Sequence, residues 1–441
     1  MLLNAPDPGN DDSHNGFREL LGQRLQSWGG NGQSRRGRAV TCALTAAAAA
    51  AVAVIAAGCT SGSPSAVSAG PWTAPGSSAT PTGDPSPAAS AVAPASCVTR
   101  VYNGMTEAQR VGQLFLVGLT PDRAGPVTAA ALEAYHFGSL LLSPTSEGVT
   151  ALGAATAHMQ SLATSPVTGG VRFFIAANQE GGQIQPLTGP GFSVMPSAVT
   201  QGTWSVAALR AAASGWGGEL KSAGVNLDLA PVMDVVPPGG ASTNAPVGQL
   251  ERDFGSGPAG NGAHGAAFIA GMASAGVATT AKHFPGLGRV TGNTDFTSGV
   301  VDSVTTPDDP YLGSFRAAIS AGVPFVMVAL ATYTRIDASR LAVFSPTVMR
   351  LLRSELGFGG VIISDDLGDA AAVASIPAGD RAISFLNAGG DMITSQSLAP
   401  AETMAQAVLA RTAADAAFRA EVSTAVRHIL AAKRAYGLLP C

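Results

Sequence analysis

The stretch Val277-Ala278-Thr279-Thr280-Ala281-Lys282-His283-Phe284-Pro285-Gly286 joins a short uncharged run to a knot of polar and turn-forming residues. A continuous apolar, β-rich run suits a strand buried on both faces, whereas a half-exposed strand alternates. Seven more such runs occur: Leu114–Val117, Ser139–Leu142, Arg172–Ala176, Val225–Leu229, Phe325–Ala329, Gly360–Ile363 and Asp391–Thr394. Ala-rich segments of helical period lie between them, among them Val206–Ala223, Gly260–Ala275, Pro310–Ala321 and Pro346–Leu356. Eight buried strands separated by helices predict an α/β fold, a (β/α)8 TIM-type barrel forming one domain over residues 97–441. An open doubly wound sheet is the structural alternative. It usually carries a Gly-rich phosphate loop after the first strand, and Gly118-Leu119-Thr120-Pro121 is no such loop.

A barrel places its chemistry just beyond the strand ends, and the polar residues fall there. Asn178-Gln179-Glu180-Gly181-Gly182 follows the third run and Pro231 to Asp234 the fourth. Lys282-His283 follows the fifth and Ser364-Asp365-Asp366 the seventh. A carboxylate such as Asp365 at a barrel mouth can attack an electrophilic carbon or accept substrate hydrogen bonds. For Asp365 and Asp366 alike, capping the next helix is the plainer reading. Lys282 is one of three lysines in the chain; beside His283 it suits recognition of hydroxyls or carboxylates, with a structural ion pair as the alternative. No second His follows at ligand spacing, so no metal is expected. A Gly-x-Ser-x-Gly elbow is also missing, so serine hydrolysis lacks its usual signal.

The 441 residues are 46% hydrophobic and 12% charged, with a net charge of −4, too apolar for a disordered chain. No basic patch exists, which disfavours nucleic acid as a partner.

Arg35, Arg36 and Arg38 precede a run without charge from Ala39 to Ala57, and Gly58-Cys59 follows. A positive segment, an apolar run and small residues before a cut describe a secretory signal. Cys59 after small residues resembles the lipobox of bacterial lipoproteins, in which that thiol carries the lipid. A retained anchor helix and plain secretion are the other readings of the run. Residues 59–96, rich in Ser, Pro, Ala, Gly and Thr with one charge at Asp84, read as a flexible tether. The division is therefore 1–58 as N-terminal extension and signal, 59–96 as tether and 97–441 as folded domain. Cys97 and Cys441 stand at the two ends of that domain and, in an oxidising envelope, are expected to form a disulfide. The expected location is the outer face of the cytoplasmic membrane, through a lipid anchor, or outside the cell.

Lys282-His283-Phe284-Pro285-Gly286-Leu287-Gly288 resembles the Lys-His-Phe-Pro-Gly-His-Gly signature of glycoside hydrolase family 3, within it the bacterial β-N-acetylglucosaminidases. Gly360 to Leu367 is similar to the family's nucleophile segment. Gln179-Glu180-Gly181-Gly182, Ala230 to Val235 and Arg252-Asp253-Phe254-Gly255 match further blocks in order. The resemblance implies a retaining mechanism in which Asp365 forms a covalent glycosyl-enzyme. It implies sugar binding by Asn178, Arg252, Lys282 and His283, a carbohydrate substrate and no cofactor. It also implies a single-domain member, expected to be a monomer.

Several positions depart from the family pattern. Asn178 replaces an Asp, Gln183 and Pro186 replace arginines, Leu287 replaces a His, and Ala329-Leu330 replaces Ala-His. In the mobile loop, Asn293, Thr294 and Asp295 stand where the family has Asp-Ser-His, whose His is the acid/base. Asp295 can protonate a leaving oxygen if burial or the Asp365 charge raises its pKa. Gly286, Gly288 and Gly292 are expected to keep this loop flexible. Two functions compete: a glycosidase releasing a terminal β-linked N-acetylglucosamine or related hexose, and a sugar-binding lipoprotein on a retired catalytic scaffold.

Overall fold

Eight parallel strands close into a barrel in the computed structural model, which describes residues 96–119 and 125–441. The strands are β1 Phe115–Gly118, β2 Ser139–Leu141, β3 Phe174–Ala177, β4 Leu227–Asp228, β5 Ala278–Phe284, β6 Phe325–Val328, β7 Val361–Asp366 and β8 Met392–Ser395. Each pairs with its neighbour in chain order, and β8 closes the ring on β1 with Phe115 beside Ile393. Every expected apolar run contributes a strand, as the expectation of a TIM-type barrel required. The signal, the tether up to residue 95 and Cys59 lie outside the described residues.

Connections are helical where the apolar period indicated, as in Val206–Ser222 and Pro258–Ser274. The segment expected as one helix from Pro310 splits into a 3-10 turn, Pro310–Leu312, and a helix, Gly313–Ser320. A three-stranded sheet of Val301–Asp302, Thr332–Tyr333 and Asp337–Leu341 lies outside the barrel sheet. Its strands are two to five residues long, too short for periodicity to reveal.

Two strands run further than the apolar pattern suggested, and the difference locates the site. Between Ala281 and Phe284 β5 has one residue more than its partner stretch from Val326 to Val328. Between Ile363 and Asp366 β7 likewise has one residue more than its partner stretch from Met392 to Thr394. Such bulges re-aim side chains, and they collect near active sites. Lys282, His283 and Asp365 therefore lie within strands, on bulges, rather than beyond the strand ends.

At the opposite, N-terminal end of the barrel, fully buried Lys433 donates from Nζ to Gln113 Oε1 at 2.7 Å and to the Gly138 carbonyl at 2.6 Å. Burial lowers its pKa to about 7, whereas a lysine of the unfolded chain titrates near 10.4. The unfolded chain thus binds more protons between these values, so this group makes stability rise with pH from about 7 towards 10. Urea midpoints measured across that range should rise less steeply in Lys433→Met; an unchanged slope would refute the assignment.

The Cys97–Cys441 disulfide is present, with Cα atoms 6.0 Å apart. It ties the first described helix, Cys97–Gly104, to the residues after the last one, Ala416–Ala435.

Candidate active site

Asp228, Asp234, Glu180, Lys282, His283 and Asp365 come from or just after β3, β4, β5 and β7, and the four strand-end blocks converge on one mouth. Glu180 binds two cations there. Arg252 donates to it from Nε and Nη2, each at 2.8 Å. Lys282 Nζ lies 2.6 Å from Glu180 Oε1 and donates to Asn178 Oδ1 at 2.9 Å. Burial alone would raise the Glu180 pKa, but Arg252 and Lys282 outweigh it and hold the carboxyl at about 2. Glu180 is therefore a fixed anion, and a bidentate guanidinium sets its plane. The ion-pair reading of Lys282 is realised, and the same pairing orients Lys282 and Arg252 at the mouth. The Asn178 carbonyl faces Lys282, which leaves its amide nitrogen as the side chain's donor.

Asp234 performs the matching task for His283. Its Oδ2 accepts from His283 Nδ1 at 2.7 Å, and its Oδ1 accepts the backbone N–H groups of His283 at 3.0 Å and Leu287 at 2.8 Å. A carboxylate on Nδ1 fixes the ring and leaves Nε2 for a substrate hydroxyl. Asp228 has the same structural role for the block after β3, because its Oδ1 accepts from Gln179 N at 2.9 Å. Burial pushes the Asp228 carboxyl well above its ordinary range. Glu180 and Asp234 lie within the strand-end blocks, but their own segments do not disclose the roles they take here. An acidic residue in each strand-end block was the available signal; their partners come from other strands.

Asp365 Oδ1 accepts the N–H of Asp366 at 2.9 Å, so Oδ2 is the carboxyl oxygen that this amide leaves unengaged. Asp366 is not a simple helix cap. Its Oδ1 takes the amides of Gly368 and Gln396, and its Oδ2 that of Asp369. Burial, reinforced by Asp369, pushes its pKa up to about 7 against those amides.

Asp295 is brought to the same mouth. Burial raises its pKa most, the Asp365 charge adds to the rise, and Arg252, His283 and Lys282 oppose it, leaving the carboxyl at about 6. Asn293 supports it through the backbone, its Oδ1 accepting from Asp295 N at 3.0 Å. The loop is pinned rather than loose. Asn244 Nδ2 donates to the carbonyls of Leu287 and Val290, both at 2.7 Å. Arg289 binds Asp309 and Thr305 and lies 4.1 Å from the Tyr311 ring centroid. A Cβ on Gly288 would lie 1.9 Å from the Val235 carbonyl oxygen, so this glycine permits close packing instead of motion. Leu287 and Leu330, at the two positions where the family has His, are buried in the core. Gln183, at one of the two arginine positions, is exposed.

A (β/α)8 barrel whose mouth gathers two carboxyl groups, Asp365 and Asp295, the latter with its pKa raised to about 6, beside Arg252, Lys282 and His283 has the equipment for acetal cleavage. Sequence comparison gives the family: residues 106–432 match the glycosyl hydrolase family 3 N terminal domain, and the chain belongs to that family. The beta-hexosaminidase of Vibrio cholerae serotype O1 is 36% identical over 223 residues, which is 50% of this chain and 64% of that protein. The beta-hexosaminidase of Stenotrophomonas maltophilia is 34% identical over 233 residues, 50% of this chain and 65% of that one. Among solved structures, the β-N-acetylhexosaminidase of Beutenbergia cavernae is 46% identical with a TM-score of 0.73, over 75% of this chain and 99% of that one. A family 3 β-N-acetylglucosaminidase from a Paenibacillus species is 26% identical with a TM-score of 0.68, over 76% and 63% respectively.

Proposed function

We propose that the chain is a retaining glycosidase that releases a terminal β-linked N-acetylhexosamine, N-acetylglucosamine being the expected sugar. Cell-wall muropeptides or glycoconjugates would supply it. The observation that carries this reading is the meeting of Asp295 and Asp365 at the mouth, where burial and then the Asp365 charge favour the protonated form of Asp295. The names of the relatives support the sugar class. In the first step Asp365 Oδ2 bonds to the anomeric carbon, the bond from that carbon to the leaving oxygen breaks, and the Asp295 proton passes to that oxygen. In the second step water attacks the same carbon, its proton returns to Asp295, and Asp365 leaves as carboxylate. Lys282, Arg252, His283 and Asn178 hold the sugar hydroxyls throughout. The test is nitrophenol release from a panel of aryl β-glycosides, with product stereochemistry followed by NMR. Retained configuration and a preference for the N-acetylglucosaminide are expected; inversion, or turnover on none of the panel, overturns the reading.

The positive segment, the apolar run and Cys59 support an enzyme held by lipid on the outer face of the cytoplasmic membrane. Cys59→Ser should then move the protein from the membrane to the soluble fraction. A variant that stays in the membrane would indicate a retained anchor helix instead.

A further inference from the structure

We propose that Asp366 is the positioning residue for the acid loop, shaping the segment after β7 into a clamp that holds Asp295 against the nucleophile. The inference rests on Asp295 being the acid, as argued above. Asp366 is buried, and its carboxyl collects three amides from two parts of the chain: Gly368 at 2.9 Å, Asp369 at 3.2 Å and Gln396 at 3.1 Å. Gln396 directly follows β8, so the carboxyl fastens the turn after β7 to the neighbouring strand. The turn closes tightly. A Cβ on Gly368 would lie 2.3 Å from Ser395 Oγ and 3.2 Å from Asp366 Oδ1. Arg381 braces it from behind, its Nη1 donating to the carbonyls of Leu367 at 2.7 Å and Gly368 at 2.8 Å.

The segment shaped in this way leads into the 3-10 turn Ala371–Val373, whose first two amides grip the acid loop. Ala371 N–H donates to the Asp295 carbonyl and Ala372 N–H to the Thr294 carbonyl, both at 3.1 Å. Asp366 meanwhile donates its own N–H to Asp365 Oδ1 at 2.9 Å. One residue therefore engages the nucleophile through its backbone and the acid loop through the turn its side chain builds. No carboxyl oxygen of Asp366 needs to touch substrate for this. Its effect reaches the reaction through where Asp295 stands, and proton delivery is sensitive to such placement.

The consequence is selective. A displaced acid slows glycosides whose leaving oxygen needs a proton and spares those whose leaving group departs as an anion. The experiment measures kcat/KM of the full chain and of Asp366→Asn, Ala371→Pro and Asp295→Ala on N-acetyl-β-glucosaminides with dinitrophenyl, nitrophenyl and phenyl leaving groups. Asp366→Asn turns an N–H donor towards the amide of Asp369, or towards those of Gly368 and Gln396. Ala371→Pro deletes only the donor to Asp295, at the first residue of a turn, where proline is tolerated. It keeps the proposal testable if Asp366→Asn fails to fold. Both variants should lose at least about tenfold more on the phenyl than on the dinitrophenyl substrate, a part of the 10²–10⁴ that a general acid contributes. Asp295→Ala should show the same trend more strongly. A uniform loss across the series in both variants, or no loss, while Asp295→Ala keeps the trend, overturns the positioning role alone. Absence of the trend in Asp295→Ala overturns the acid assignment and the positioning role with it.

Discussion

Asp365→Gly is expected to lower kcat/KM on nitrophenyl N-acetyl-β-glucosaminide by at least about 10³-fold, the scale on which removal of a covalent nucleophile acts. The carboxylate sits on the β7 bulge with one oxygen held by the Asp366 amide, so the other is fixed in direction before substrate arrives. Glycine removes the nucleophile and leaves a cavity the size of the carboxylate. Azide or formate admitted to that cavity should restore part of the turnover and yield a product of inverted configuration, because only one displacement then occurs. Such rescue separates loss of a nucleophile from loss of structure. Undiminished turnover in the variant would refute the assignment, as would a folded, inactive variant that no small anion rescues.

Asp295→Ala should remove about 10²–10⁴ from kcat/KM on glycosides with basic leaving groups and change the pH profile in a defined direction. The group must carry its proton to work. Burial and the Asp365 charge raise its pKa from the ordinary carboxylate value to about 6. The active form is therefore complete below that pH and is lost as pH rises through it. Wild-type activity should fall on the alkaline side of about pH 6, and that limb should disappear in Asp295→Ala. Persistence of the limb in the variant would assign it to another group. The side chain is shorter than the histidine found in the family, so its reach is set by where the pinned loop holds it. Asn244, Arg289 and the amides of Ala371 and Ala372 hold that loop in place.

Much of the fold could be read from the sequence, because a strand buried on both faces carries its signal in a few adjacent residues. Val277–Ala281 and Gly360–Ile363 needed no knowledge of their neighbours. The bulges that follow them could not be read, since an extra residue is defined only against a paired strand. That is why Lys282, His283 and Asp365 were expected after the strands and lie within them. The site was legible to a similar depth. Asp365, Lys282 and His283 stand out by type and position, and Asp295 only through the family motif in which it takes the place of the His. Glu180 and Asp234 did not acquire a role, since their function is to hold partners contributed by other strands. Lys433 resembled any lysine near the end of a polar helix, and only the barrel floor buries it. The glycines of the acid loop illustrate the limit: composition suggests freedom, whereas Gly288 is where backbone meets backbone.

The Cys97–Cys441 bond has a topological consequence. It turns residues 97–441 into a covalent circle laid over a sheet that is itself circular. A protease that cuts one exposed connection opens the circle but releases no piece, and the severed halves stay joined through sulfur. Because the bonded residues lie 6.0 Å apart at their Cα atoms, a short peptide joining them would preserve the order of all eight strands. The barrel then has no privileged place to start, and where the chain opens becomes a choice of position on a ring.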